Sequence, residues 1–82
     1  MENQVRQILR EEGRLAVDVN TLGVQDDLYA AGLSSLATVN VMLGIEETFG
    51  MQFPDEALCR RSFQSIGALL DVVETLKQMQ AV

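Results

Sequence analysis

Histidine is absent from this 82-residue chain, cysteine and proline occur once each, and basic residues are half as numerous as acidic ones. Each shortage removes a class of function. Without histidine, neither a Ser-His-Asp nor a Cys-His arrangement can be assembled. Metal sites that draw on His or on several Cys are excluded as well. The carboxylates that remain come as sequence neighbours: Asp26-Asp27, Glu46-Glu47 and Asp55-Glu56. Adjacent residues on a helix diverge by about 100°, so such pairs do not converge on one substrate and read as solvated surface. Asp18, Asn20, Asp26 and Asp27 lack the spacing of a calcium loop. Nothing in this inventory catalyses a reaction unaided, so the chain is not expected to be an enzyme.

The lone Cys59 cannot close an internal disulfide and suits a reducing compartment. Lying between Leu58 and Arg60 with no histidine to activate it, it reads as a small buried hydrophobe. The opening Met-Glu-Asn-Gln-Val-Arg is charged and lacks the apolar core of a signal peptide. No stretch has the apolar length needed to cross a bilayer, so the expectation is a soluble cytoplasmic protein. With 12 acidic and 6 basic residues the net charge is -6. This argues against nucleic acid, which needs clustered Lys and Arg, and against an anionic membrane surface. Acidity steers a protein toward basic partners, although it also serves solubility alone.

What is present fits a small globular unit. Hydrophobic residues make up 48% and charged residues 22% of the chain, and a chain this short folds as one domain spanning 1–82. Such a domain buries only about 60% of its unfolded surface, which leaves too little core for a deep pocket. Val5, Ile8 and Leu9 share one face of a first helix over Asn3–Glu12, with Gly13 at its C-terminal cap. A long connection follows, Arg14 to Ser34, in which Leu15, Val17, Val19, Leu22, Leu28 and Tyr29 can pin the chain across helices. A second helix starts at Ser34-Ser35, where Ser34 is a good N-cap, and stops at Gly50 after Phe49. A short turn around Asp55–Arg61 comes next. The last helix runs from near Ser65 to about Met79, with Ile66, Leu69, Leu70, Val73 and Leu76 inward and Asp71, Glu74, Lys77 and Gln78 outward. The fold class expected is all-α: a small four-helix bundle with a long first loop and a short third helix.

The second helix carries more apolar surface than an outer helix of a bundle needs. Met42, Ile45 and Phe49 gather on one side, the natural core face. Leu36, Val39 and Leu43 gather on nearly the opposite side. Either the long loop covers this second stripe, or it stays exposed as a docking patch.

The stretch from Asp26 to Leu36, Asp-Asp-Leu-Tyr-Ala-Ala-Gly-Leu-Ser-Ser-Leu, resembles the acyl carrier protein family. There, Gly-Leu followed by Asp-Ser-Leu opens the second helix, and the serine takes phosphopantetheine from coenzyme A. The likeness continues through Gly44-Ile45-Glu46-Glu47-Thr48-Phe49-Gly50-Met51-Gln52-Phe53-Pro54 and reaches Ser65-Ile66. It implies that Ser35 carries a covalent 4'-phosphopantetheine arm, installed by a phosphopantetheinyl transferase. A serine at a helix N-terminus would set the ester phosphate at the positive end of the helix dipole. Two departures stand out. Ser34 replaces the usual Asp, and Ala37 and Asn40 occupy positions where fatty-acid carriers have carboxylates. The chain looks most like the bacterial aminoacyl carrier proteins, charged by amino acid:carrier protein ligases related to the seryl-tRNA synthetase catalytic core. That resemblance implies a thioester-bound small amino acid, glycine or alanine; Ser34, Leu36, Val39, Asn40 and Leu43 are the expected partner-binding surface. Rival readings are a fatty-acyl, polyketide or peptidyl carrier, and an unmodified helical adaptor.

Overall fold

In the computed structural model, which describes residues 1–80, three long helices pack around a shared apolar core. Helix α1 spans Glu2–Glu12, α2 Ser35–Phe49 and α3 Ile66–Gln80. Short 3-10 turns lie at Val19–Thr21, Asp55–Ala57 and Arg60–Phe63. The all-α architecture is the expected one, with a difference in the short third helix. It takes the form of two 3-10 turns, because Cys59 between them is extended, at φ -135° and ψ 160°. Among the described residues there is no strand, and no helix is long and apolar enough to cross a membrane.

Spacing along α1 turns Val5, Ile8 and Leu9 into the core. The Gly13 N–H bonds to the Leu9 carbonyl at 2.8 Å, but the left-handed residue that ends the helix is Arg14, at φ 49°. On α3, Ile66, Leu69, Val73 and Leu76 are buried and Leu70 half-buried, while Asp71, Glu74, Lys77 and Gln78 face outward as expected. Ser65 caps that helix by accepting from the Ala68 N–H at 3.0 Å.

The long connection is fastened rather than loose. Val19, Leu28, Ala31 and Leu33 are buried in it, and Leu15, Leu22 and Tyr29 are half-buried. Of the anchors anticipated there, only Val17 stays outside. Arg6 of α1 donates through Nη1 to the carbonyls of Val19 (2.8 Å) and Leu22 (2.9 Å). The Leu28 N–H bonds to the Gln64 carbonyl and the Gly67 N–H to the Val24 carbonyl, each at 2.7 Å. Such backbone bonds satisfy groups that a packed loop would otherwise leave unpaired.

Helix α2 shows two faces, though its inner one is not centred where bulk suggested. Ala37, Val41 and Ile45 are the buried residues, with Met42 and Phe49 only half-buried at its flank. Close approach of α1 explains the difference. A Cβ on Gly44 would stand 2.9 Å from Ile8 Cγ2, so the inner face is the side with small residues, not the side with the largest ring. On the outer face Leu36 is 76% exposed, Val39 48% and Leu43 51%. The long loop does not cover them.

Candidate functional site: the mouth of the second helix

Two serines stand at the start of α2 and do different work. Ser34 is the N-cap, extended at φ -88° and ψ 165°, and its Oγ accepts from the Ala37 N–H at 3.1 Å. The Ser34 carbonyl in turn accepts from the Thr38 N–H at 2.9 Å and the Thr38 hydroxyl at 2.8 Å. Ser35 is the first helical residue and is exposed. Its hydroxyl has no hydrogen-bond partner among the described residues. The first backbone N–H groups of a helix lack intrahelical partners, and no acidic side chain sits in this first turn. The mouth of α2 therefore presents a free hydroxyl in a field that favours negative charge.

What precedes it is built to aim it. Gly32 has φ 113°, and a Cβ there would meet the Ala16 backbone nitrogen at 2.9 Å. That nitrogen bonds to the Ala31 carbonyl at 2.9 Å. Only glycine lets the loop turn here while another strand of the same loop passes so close. Leu33, buried beside it, fixes the approach to the cap. Asp27 closes the turn upstream by accepting from the Tyr29 N–H at 2.9 Å. Asp26 does the same for the Gly23 N–H at 2.8 Å. Glu46 reaches back from α2 to the Phe53 N–H at 2.8 Å. Three of the carboxylates read as solvated surface are thus turn and loop fasteners.

A further pair beside the mouth is not visible in the sequence. The Arg60 guanidinium lies over the Tyr29 ring, 3.9 Å from its centroid, and the Tyr29 hydroxyl donates to the Arg60 carbonyl at 3.0 Å. The Thr38 side chain, in the first turn of α2, lies close to the same hydroxyl. Burial pushes the Tyr29 phenol above its ordinary value, with the Arg60 charge pulling the other way. Tyr29 was legible only as an apolar anchor, since its partner is 31 residues away. Cys59, expected inside, is exposed, with its Sγ 3.4 Å from Ser62 Oγ. That contact holds the thiol below its ordinary value. Phe63 fills the interior place instead, stacked on Phe53 with ring centroids 5.6 Å apart.

Residues 3–73 match the family described as the phosphopantetheine attachment site. The chain belongs to this family of carrier proteins. It is 50% identical over 76 residues to the aminoacyl carrier protein of Agrobacterium fabrum, a match covering 93% of this chain and 92% of that one. The carrier protein from Agrobacterium tumefaciens has been solved in complex with AMP and an engineered Bradyrhizobium japonicum glycine:[carrier protein] ligase. It superposes with a TM-score of 0.88 at 51% identity, over 90% of this chain and 99% of that one. The holo acyl carrier protein of Nitrosomonas europaea superposes with a TM-score of 0.83 at 29% identity, covering 94% and 95%. The family's prosthetic group needs a reachable hydroxyl and a setting that tolerates a phosphate. The mouth of α2 offers both, so the residues present fit the group.

Proposed function

We propose that the chain, acting as a single carrier domain in the cytoplasm, holds phosphopantetheine on Ser35 and presents a small amino acid, most simply glycine, as a thioester. The observation that carries the reading is the division of labour at the mouth of α2. Ser34 is committed to the cap, and Ser35 is exposed and unengaged. The Ser35 oxygen would attack the pyrophosphate of coenzyme A at the phosphorus next to the pantetheine. A phosphodiester forms, the nucleoside bisphosphate leaves, and a base of the phosphopantetheinyl transferase takes the hydroxyl proton. The bound arm supplies a thiol that can carry an acyl group. Chemistry stays with the partners: the transferase and an amino acid:carrier protein ligase related to seryl-tRNA synthetases.

A small cargo is supported on two sides. The likeness to a carrier bound by a glycine ligase is high across nearly the whole chain. The inner face of α2 is also closed, with Val41 and Ile45 at 0% exposure. A groove of about 470 Å³ runs between Pro54, Ala57 and the Val72–Met79 side of α3, and none of its lining residues is on α2. A glycyl group needs no interior room, whereas a long acyl chain would have to open the core beside its own attachment point. Ser34, Leu36, Val39, Asn40 and Leu43 form the proposed docking surface around the arm.

Intact-mass measurement after incubation with coenzyme A and a broad-specificity transferase tests the attachment. One phosphopantetheine is expected on the wild type and none on Ser35→Ala. No added mass on the wild type, beside a control carrier that is modified, would favour the unmodified adaptor. Loading of the holo form by a glycine ligase with ATP and labelled amino acids then tests the cargo. Uptake of fatty-acyl groups instead would refute the amino acid assignment.

A further inference from the structure

In an acidic chain, one basic side chain near the start of α2 makes no ion pair among the described residues. Helix α2 has no acidic residue in its first turn, and its two glutamates, Glu46 and Glu47, lie near its far end. Arg60 lies over Tyr29, whose hydroxyl donates to the Arg60 carbonyl and lies close to Thr38 of that first turn. Nearby Asp27 is already engaged with the backbone N–H groups of Tyr29 and Ala30. Asp55 and Glu56 lie on the turn before Arg60. Yet the ion pair found among the described residues is Arg6 with Glu2, so Arg60 makes no ion pair with any of these carboxylates.

A guanidinium lying flat on an aromatic ring keeps its edge free, and that edge donates in a fork that matches a carboxylate. Cation–π contact fixes a side chain that would otherwise wander, which lowers the entropy lost when a partner binds it. Exposed Leu58 precedes it by two residues, and exposed Leu36 and Val39 lie on the outer face of α2.

We infer that Arg60, held over Tyr29, is a docking cation that pairs with a carboxylate on the enzyme that charges the arm. The inference rests on the carrier reading above and adds the sign of the contact. The overall acidity of the chain would point toward basic partner surfaces, but the local chemistry beside α2 calls for an acidic one set in an apolar surround.

The test uses holo-protein, ATP, glycine and the Bradyrhizobium glycine:[carrier protein] ligase. Arg60→Gln is expected to raise the KM for the carrier about 5–20-fold while kcat changes less than about twofold, as loss of an interfacial charge pair does. Arg60→Glu should raise it further, and Arg60→Lys should fall between the wild type and Arg60→Gln, keeping the charge but losing the fork. The salt dependence of KM should flatten in Arg60→Gln, a change that a merely structural role would not produce. Thermal melts of the variants should stay within about 8 °C of the wild type, because the bond from Tyr29 goes to the Arg60 backbone and an exposed cation–π contact is worth only about 0.5–1 kcal/mol. An Arg60→Glu protein that is charged with wild-type KM and salt dependence overturns the inference and leaves the carrier reading standing. A wild-type holo-protein that the ligase does not charge overturns the aminoacyl reading, and this inference with it.

Discussion

Exchanging each hydroxyl at the mouth of α2 separately should pull stability and attachment apart. Ser34→Ala removes the acceptor that now lies 3.1 Å from the Ala37 N–H. Loss of such a cap costs about 1 kcal/mol, within a range of about 0.5–2. In a domain of this size about 1 kcal/mol moves the melting temperature by about 4–8 °C. Ser34→Asp keeps an acceptor and adds a negative charge at the positive end of the helix, so it should melt at or above the wild type. Ser35→Ala touches an exposed hydroxyl with no partner and should stay within about 0.5 kcal/mol of wild-type stability. Circular dichroism melts on the apo-proteins read the first effect. Intact mass after treatment with transferase and coenzyme A reads the second. The expected pattern is crossed: Ser34→Ala melts low and gains the arm, and Ser35→Ala melts normally and does not. If Ser34→Ala keeps the wild-type melting temperature, the cap argument is wrong. If Ser35→Ala still gains the arm, another hydroxyl is the anchor.

Two further outcomes follow from packing and from thiol chemistry. Gly44→Ala gains about 1 kcal/mol in helix propensity, but it drives a methyl to 2.9 Å from Ile8 Cγ2. That carbon is on a β-branched side chain with little rotamer freedom, so overpacking of about 1–3 kcal/mol should win and lower the melting temperature. In an Ile8→Ala background the same change should cost less or turn stabilising; a stabilising Gly44→Ala in the wild type would contradict the close approach. Cys59 should be alkylated by iodoacetamide with a midpoint pH below that of the urea-unfolded chain. The Ser62 hydroxyl, the main cause of the lowered value, stabilises the thiolate. Ser62→Ala should move the midpoint up, and identical profiles for the two proteins would rule this cause out.

Local signals were readable in the sequence and long-range ones were not. The extents of α1 and α2, the Gly50 stop and the inward stripe of α3 all depend on spacing and capping within a few residues, and they appear close to where those rules put them, except that Arg14 rather than Gly13 takes the left-handed conformation after α1. The Ser34-Ser35 junction was legible for the same reason, because a cap and a first helical residue are neighbours. The inner face of α2 was misjudged toward Met42 and Phe49, since a wheel cannot tell which side a neighbouring helix approaches. Gly44 and Ala37 were the available clue, as small residues mark close approach. The segment after Pro54 reads in the sequence as one short helix, but Phe63 turns in to stack on Phe53 while Cys59 between the turns is extended. The inward place expected for Cys59 thus goes to Phe63. Nothing near Tyr29 in the sequence announces Arg60, because their contact exists only once the loop has folded against the region after α2.

The tight fastening of the long loop acquires a reason once the mouth of α2 is the working point. A swinging arm can search space only if its base stands still, for motion of the base would blur the position that a partner must find. Here α1 holds the loop through Arg6, and the chain around Gln64 and Gly67 holds it through two backbone bonds. Buried Leu28 and Leu33 clamp the last stretch before the cap. The apolar outer face of α2 follows from the same requirement. On the carrier reading proposed above it is left uncovered for partners, and no loop shields it. On that reading the fastened loop, the exposed Ser35 hydroxyl and the unshielded apolar face are one arrangement, each serving a carrier that one enzyme after another must reach.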